Sequence, residues 1–259
     1  MRERLYLSTI DPKAGSLARR YGLGVEIAAF CTARNMDEGL SEAEEALETT
    51  LSGISRRVLH GPFNELFPCA IDPKARELAR YRYRQAMALA RRYGAEKVVI
   101  HGGYIPRVYF PEWFEEQSIL FWKEFLPEIP KGMTVCLENV LEPSPQMLLA
   151  VVQAVNDERL RLCLDVGHAN AYSKRSVYSW LEESTPFLSH LHIHNNDGTG
   201  DTHSPLYEGS IPIKELLDRA WTLCPKVTGT LELPDSEPTI CWLLEEETWN
   251  RNRKKSCSR

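Results

Sequence analysis

Short β-like segments alternate with longer helix-like segments eight times along the 259-residue chain, and this alternation constrains the fold more than any other feature. Most of the β-like segments are rich in valine, isoleucine, leucine or threonine and end in turn-forming residues. The predicted strands are RLYLSTI (4–10), LGVEIAAF (23–30), RRVLHGPF (56–63), KVVIHGG (97–103), TVCLENV (134–140), LRLCLDVGH (160–168), LSHLHIHNN (188–196) and KVTGTLELP (226–234).

Amphipathic segments separate these strands. The clearest is 72–94, which starts with Asp-Pro, carries apolar residues at helical spacing and ends in basic residues and a glycine. Parallel neighbouring strands need a crossover such as a helix, so the alternation predicts a parallel sheet. Eight units in about 250 residues fit an α/β protein with the (β/α)8 TIM barrel fold. An open doubly wound sheet is the alternative, but no GxGxxG or GxxxxGK[ST] follows any strand.

Composition predicts one globular domain over 1–247 and a polar, basic tail over 248–259. No apolar run reaches the ~18 residues of a membrane span, and the N-terminus has no pattern of a signal peptide. The seven cysteines are scattered without a CxxC, which favours reduced thiols. We therefore expect a cytoplasmic protein with no membrane partner. A net charge of −5 does not indicate nucleic-acid binding, although a local basic groove would allow it.

Imidazole and carboxylate groups follow six consecutive predicted strands. In a (β/α)8 barrel the active site lies at the C-terminal ends of the strands, so these side chains should meet there. Strand three ends in His60 and strand four in His101, strand five carries Glu138, strand six carries Asp165 and His168, strand seven carries His194, the loop after it carries Asp201 and His203, and strand eight carries Glu232.

Such a mixed set of ligands predicts a divalent metal site. Glu138 in VCLENV and Glu232 in GTLELP lie within apolar strands, and buried charges need partners. Imidazole and carboxylate suit Zn²⁺ or Mn²⁺, whereas Mg²⁺ prefers oxygen. Because residues alternate faces along a strand, Cys136 shares the face of Glu138, and Leu137 points to the helices. No cysteine stands at a strand end among these groups, so thiolate ligation is not expected.

Each residue also has a structural interpretation when it is taken alone. His60 or His101 alone is more often a hydrogen-bonded histidine than a ligand, and Asp165 alone fits the cap of a turn. His190 and His192 are assigned to the barrel interior, with His192 beneath the metal. Glu26 in GVEIAAF is either a buried structural carboxylate or a substrate contact. The set as a whole supports the metal site more strongly than any single member.

The stretch HLHIHNNDGTGDTH (190–203) combines four of the seven histidines with two aspartates. Glycine tolerates backbone angles that other residues avoid, so we expect the GTG segment to reverse the chain. That reversal would return Asp201 and His203 to the barrel mouth, near His168. Direct metal ligation by both residues is favoured over a supporting role.

The motifs LEN, LDVGHAN, HNNDGTGDTHSPLYEG and LELP resemble the metal-binding strands five to eight of the xylose-isomerase-like TIM-barrel superfamily. The resemblance runs from GVEI to LELP. This superfamily includes sugar and sugar-phosphate isomerases and epimerases, and the endonuclease-IV-type enzymes of AP endonuclease family 2. The resemblance to ketose 3-epimerases implies one divalent ion, proton exchange by Glu138 and Glu232, and a substrate oxygen held by His168; the implied ligands are Glu138, Asp165, His194 and Glu232.

The resemblance to endonuclease-IV-type enzymes implies a three-zinc cluster instead, with all nine residues as ligands. However, this chain has HGGY where those enzymes usually have HPGS, and LDVGH where they have LDTCH. We therefore predict an isomerase or epimerase that acts on a sugar or sugar phosphate with one to three zinc or manganese ions and no organic cofactor. The alternative is a zinc phosphoesterase acting on abasic DNA or another phosphodiester, the only case with a nucleic-acid partner. A barrel that binds metal without turnover is a third hypothesis. The sequence does not predict the oligomeric state.

Overall fold

The computed structural model describes residues 1–244, so the tail predicted at 248–259 and the domain boundary at 247 lie outside the described residues. Eight parallel strands close into a barrel in the order of the sequence, with β1 paired to both β2 and β8. This confirms the predicted TIM barrel. The strands are β1 Leu5–Ser8, β2 Gly24–Ile27, β3 Arg57–His60, β4 Lys97–His101, β5 Thr134–Glu138, β6 Leu160–Asp165, β7 Leu188–Ile193 and β8 Thr228–Leu231.

Helices follow the strands and surround the barrel. They are α1 Ala14–Tyr21, α2 Leu40–Leu51, α3 Pro73–Tyr93, α4 Pro111–Phe125, α5 Gln146–Val155, α6 Val166–Tyr172, α7 Val177–Ser184 and α8 Ile213–Leu223, with 3-10 turns at Arg2–Arg4, Ala33–Met36 and Leu126–Glu128. The helix predicted at 72–94 is α3. The carboxylate of Asp72 accepts a hydrogen bond from Lys74 N at 2.8 Å, and the helix ends at Gly94 in a left-handed conformation.

The predicted strands all run two or three residues past the observed ends, and in strand six this changes the position of a site residue. The segment 160–168 was expected to carry His168 on strand six, but β6 ends at Asp165 and His168 lies in the first turn of α6. The side chain of Asp165 accepts a hydrogen bond from His168 N at 2.7 Å, and this N-cap starts the helix. His194 and Glu232 likewise come directly after the last residues of β7 and β8 and not within these strands.

The strand side chains separate into two layers. Residues that point outward, such as Leu137 and Ile193, are buried in the large apolar core between the barrel and its helices. A smaller apolar cluster of Tyr6, Val58, Val99, Cys136 and Cys163 forms a separate core. This matches the alternation predicted for β5, in which Cys136 shares the inner face with Glu138. The interior above this cluster is polar. No helix within residues 1–244 is long and apolar enough to cross a membrane.

Candidate metal centre

The C-terminal ends of the strands surround a cavity of about 610 Å³. Its walls are apolar and its floor carries charged and imidazole groups. The wall residues include Ile10, Ala28, Cys31, Phe63, Val140 and Pro234, and the floor residues are His60, His101, Glu138, His168, Asp201, His203 and Glu232. Two further predicted ligands, Asp165 and His194, are completely buried, and His194 Nε2 lies 3.1 Å from Asp165 Oδ1. The fold therefore brings all nine predicted residues to one end of the barrel.

Glu138 lies at the centre of this floor. Its Oε2 is 3.4 Å from Nε2 of both His60 and His101, and its Oε1 is 3.3 Å from His168 Nδ1 and 3.2 Å from His192 Nδ1. Both oxygens are buried, yet neither makes a well-aligned hydrogen bond. Burying an ionised carboxylate without such partners costs several kcal/mol. A divalent cation between the carboxylate and these rings would remove that cost, so the residues fit a metal ion.

Three of the histidines are held by backbone carbonyl groups. Nδ1 of His60 lies 2.9 Å from the carbonyl oxygen of the following residue, Nδ1 of His168 lies 3.0 Å from that of Asn139, and Nδ1 of His203 lies 2.8 Å from that of Glu232. A carbonyl oxygen only accepts, so each Nδ1 carries the proton and donates it. When such a ring is neutral, Nε2 is the nitrogen left to bind a metal, which is how metal-binding histidines are usually oriented.

The loop after β7 brings its side chains back to the same site. Asp201 Oδ2 lies 3.2 Å from Nε2 of both His168 and His203, and the ring of His203 stacks on that of His194 with centroids 3.9 Å apart. The second oxygen of Asp201 is buried without a hydrogen-bond partner. Asp201 and His203 therefore lie over the barrel mouth, next to His168.

Backbone conformation explains how this loop reverses. Gly198 has a φ of 87°, a value that favours glycine, and Asn195 pairs with Ser204 in an antiparallel bridge with N···O distances of 3.0 and 2.9 Å. His203 also has a positive φ, 46°, which is uncommon for a residue with a side chain. Such strain is concentrated at functional sites, where the surrounding structure maintains it.

The donor atoms form five overlapping sets among the described residues, and within each set they lie within 4.8 Å of one another. Four sets lie at the cavity floor: His60, His101 and Glu138; Glu138, Asp165 and His168; Asp165, His194 and Glu232; and His168, His194, Asp201 and His203. A deeper set combines Glu26 and His192 with His60 and Glu232. Together they contain all nine residues predicted as ligands. Mixed imidazole and carboxylate donors suit zinc, manganese or a related divalent ion.

Burial and charge act differently on the groups of the floor. Burial lowers the pKa of His101 to about 3, so this ring is neutral and able to bind a metal. Burial raises the pKa of Glu232; His192 opposes this shift and Glu138 adds to it. For Glu138, burial also favours the protonated form, but His192 and His101 outweigh it and hold the pKa well below its usual value. The surroundings therefore lower the pKa of Glu138 and raise the pKa of Glu232.

The structure adds two cavity residues that the sequence did not point to, Cys31 and Phe63. Cys31, four residues beyond the end of β2, lines the cavity, although the sequence predicts no thiol at the site. Phe63 stacks on His101, with centroids 4.3 Å apart and planes 11° apart. A further buried glutamate, Glu142, is 2% exposed and is not among the described residues that line the cavity; burial raises its pKa to about 7. Only Glu142 left a trace in the sequence, as a carboxylate in the apolar segment VLEP.

Comparison with known proteins identifies the class of the barrel. The family described as xylose isomerase-like TIM barrel matches residues 16–222, and the chain belongs to this family. The uncharacterized protein MJ1311 of Methanocaldococcus jannaschii is 31% identical over 176 residues, which cover 62% of this chain. The match spans 59% of the length of that relative.

Two solved structures show the same architecture over nearly the whole chain. A D-tagatose 3-epimerase-like protein has a TM-score of 0.76 and 21% identity, with 97% of this chain and 99% of that chain covered. The TTHB071 protein from Thermus thermophilus, in a structure obtained by soaking with ZnCl2, has a TM-score of 0.72 and 26% identity, with 95% and 97% covered. The first likeness, at this identity, shows the fold alone.

Proposed function

We propose that the protein is a divalent-metal-dependent isomerase or epimerase that moves a proton next to the carbonyl group of a sugar. The observation that carries this proposal is the placement of Glu138 and Glu232, two buried carboxylates, among the imidazoles on the floor of one cavity. Glu138, Asp165, His194 and Glu232 would hold the ion. When bound, the ion would supply positive charge that polarises the substrate carbonyl and stabilises the negative charge formed by deprotonation.

Proton transfer is assigned to the two glutamates. One removes the proton from the carbon next to the carbonyl, and the other returns a proton to that carbon or its neighbour. His168 is assigned to a substrate oxygen, because its Nδ1–H is fixed on the Asn139 carbonyl and its Nε2 faces the cavity region beside Asp201. With a substrate bound, the mostly apolar walls would limit water at the reacting groups, which strengthens these electrostatic interactions.

The charge of the walls favours a neutral sugar over a sugar phosphate. Among the residues described as lining the cavity there is no lysine and no arginine. A phosphate dianion is usually bound by such cations or by clustered backbone N–H groups. Because the D-tagatose 3-epimerase-like structure shares this fold, unphosphorylated ketoses are the first substrates to test.

The test is proton exchange with solvent. Protein loaded with Zn²⁺ or Mn²⁺ is incubated in D2O with a panel of unphosphorylated ketoses and with their phosphates. Deuterium should enter next to the carbonyl, an epimer or isomer should accumulate, and the free ketose should react faster than its phosphate. Metal-replete protein that exchanges no proton with any member of the panel would contradict the proposed function.

A second candidate is an endonuclease-IV-like zinc phosphoesterase, and the presence of several adjacent donor sets favours it. Clustered zinc ions would activate water and neutralise a phosphodiester. Zinc per chain and incision of a duplex with one abasic site test this candidate. Two or three zinc ions with chelator-sensitive incision near physiological salt would replace the sugar enzyme as the proposal. Weak, nonspecific DNA binding, as expected at a net charge of −5, would support the sugar enzyme.

A further inference from the structure

A continuous series of polar contacts runs through the barrel interior beneath the metal centre. It starts at Lys97, the first residue of β4, whose Nζ donates to Thr228 Oγ1 at 2.8 Å. Thr228 Oγ1 lies 2.6 Å from His190 Nδ1, and His190 Nε2 lies 2.8 Å from Thr230 Oγ1. These contacts form the lower half of the series, at the N-terminal part of the barrel.

The upper half ends at the two glutamates of the proposed chemistry. Thr230 Oγ1 donates to Glu26 Oε2 at 2.6 Å, and His192 Nε2 lies 3.2 Å from the same oxygen and 3.0 Å from Glu26 Oε1. On its other side, His192 Nδ1 lies 3.2 Å from Glu138 Oε1 and 3.5 Å from Glu232 Oε2. One imidazole therefore contacts both proposed proton-transfer groups.

We propose that Glu26 and His192 are positioning residues, which hold the carboxylates of Glu138 and Glu232 in the orientation that binds the metal ion. Because a carboxylate only accepts, the Nε2–H of His192 is directed to Glu26, and this contact fixes the plane of the ring. The ring is completely buried and cannot turn to solvent. Its Nδ1 edge is thereby kept against both glutamates.

The position of Glu26 is itself fixed from below. Its Oε2 also lies 3.3 Å from His190 Nε2, and His190 and Thr230 are both completely buried. A buried carboxylate with several donors has few alternative orientations, because any rotation would leave polar atoms unpaired. His192 Nδ1 lies against both glutamates at 3.2 and 3.5 Å without an aligned hydrogen bond, so it restrains them by close contact. Residues that orient metal ligands change metal affinity by ~10- to 100-fold when they are altered.

The test measures metal affinity, and it rests on the proposed metal centre but not on the identity of the substrate. Glu26→Gln keeps the size of the side chain and removes its charge. Competition with a chelator for Zn²⁺ should show ~10- to 100-fold weaker binding. At saturating Zn²⁺ the number of ions per chain should equal that of the wild type. Unchanged affinity would overturn the proposal. Loss of an ion at saturation would also overturn it, because Glu26 and His192 would then be ligands in the deeper set with His60 and Glu232.

Two further variants keep the test interpretable. Thr230→Val removes only the hydroxyl that donates to Glu26, so it should also weaken Zn²⁺ binding, but by a smaller factor than Glu26→Gln. This variant tests the proposal even if Glu26→Gln does not fold. Glu142→Gln is the matched control, since Glu142 is an equally buried glutamate without a contact to His192 among its described partners. It should bind Zn²⁺ like the wild type. If Glu142→Gln and Glu26→Gln weaken binding equally, a general effect of replacing a buried glutamate explains the weakening and the proposal is wrong.

A kinetic measurement separates positioning from general destabilisation. With an active substrate and saturating metal, Glu26→Gln should lower kcat and leave KM nearly unchanged, because the reacting carboxylates are misaligned while the cavity walls are intact. A rise in KM with unchanged kcat would contradict this role. The affinity measurement stands independently, so an inactive protein with weakened Zn²⁺ binding would refute the proposed function but not the positioning by Glu26.

Discussion

The backbone of Gly167 lies so close to the imidazole of His194 that a Cβ at residue 167 would be 1.9 Å from His194 Cε1 and 2.5 Å from its Nε2. Gly167 is in the first turn of α6, two residues after Asp165, and this turn passes along the ring. Real Cβ atoms do not approach other atoms so closely, so the glycine of LDVGH is required by the position of His194.

Gly167→Ala should therefore displace His194 from the metal centre. The ring cannot move without lengthening the 3.1 Å contact between its Nε2 and Asp165 Oδ1. We expect Zn²⁺ affinity to fall at least ~10-fold, as when the support of a ligand is lost, with the barrel still folded. Chelator competition and thermal unfolding measure the two effects. Gly200→Ala is the control, because a Cβ there meets nothing within 4 Å. Wild-type Zn²⁺ affinity in Gly167→Ala would contradict this account of the motif.

The loop after β7 gives a second prediction. If Asp201 and His203 bind their own ion with His168, the double variant Asp201→Ala, His203→Ala should bind one ion fewer at saturation. The ion held by the ligands of strands five to eight should remain. Elemental analysis of metal per chain measures this. Thr202→Ala, between the two residues, controls for the loop. An unchanged ion count with ~10-fold to 100-fold weaker affinity would mean that both residues only support other ligands.

The barrel could be predicted from the sequence because its signals are local. Each strand is a short run of β-forming residues, and the end of each strand is marked by a turn or a polar group. The same locality explains one error. The apolar pattern of LRLCLDVGH does not show that the Asp165 side chain caps a helix, so the sequence predicts a strand that continues to His168.

The role of Glu26 could not be decided from the sequence because it depends on closure of the barrel. Glu26 is on β2 and His192 is on β7, and 166 residues separate them. Their contact exists only because β1 pairs with both β2 and β8, which brings the two inner faces together. The cavity walls depend on closure in the same way. Phe63 and Cys31 lie in loops, where no periodic pattern indicates the direction of a side chain.

Acid stability gives a prediction away from the metal centre. Asp157 accepts hydrogen bonds from the backbone N and the Nε of Arg159, both at 2.9 Å, and from Arg159 Nη2 at 2.8 Å. These bonds lower the pKa of Asp157 from 3.8 to about 2. A lowered carboxyl pKa stabilises the folded state above the unfolded pKa and loses this effect as pH falls through the folded pKa.

Asp157→Asn should therefore lower Tm at pH 7 by the equivalent of about 1 kcal/mol, since solvent screens this partly exposed pair. The difference from the wild type should be constant down to about pH 4 and shrink toward pH 2. Thermal unfolding followed by circular dichroism across this range measures it. Asp218→Asn, at an exposed position of α8, is the control. A Tm difference that stays the same from pH 7 to pH 2 would contradict the assignment to ionised Asp157.

The final prediction concerns the two glutamates of the proposed chemistry. Glutamine matches glutamate in size but cannot accept and return a proton, so Glu138→Gln and Glu232→Gln should each lower kcat by ~10² or more. If each glutamate serves one face of the reacting carbon, the glutamate left in each variant can still remove and return a proton on its own face. Each variant should therefore exchange deuterium into one epimer of the substrate and not into the other. Both variants are assayed at saturating metal with their metal content measured, and Glu142→Gln is the control for a buried glutamate. A metal-replete variant with nearly wild-type kcat would exclude that glutamate from proton transfer, and equal exchange into both epimers would exclude the division of the two faces.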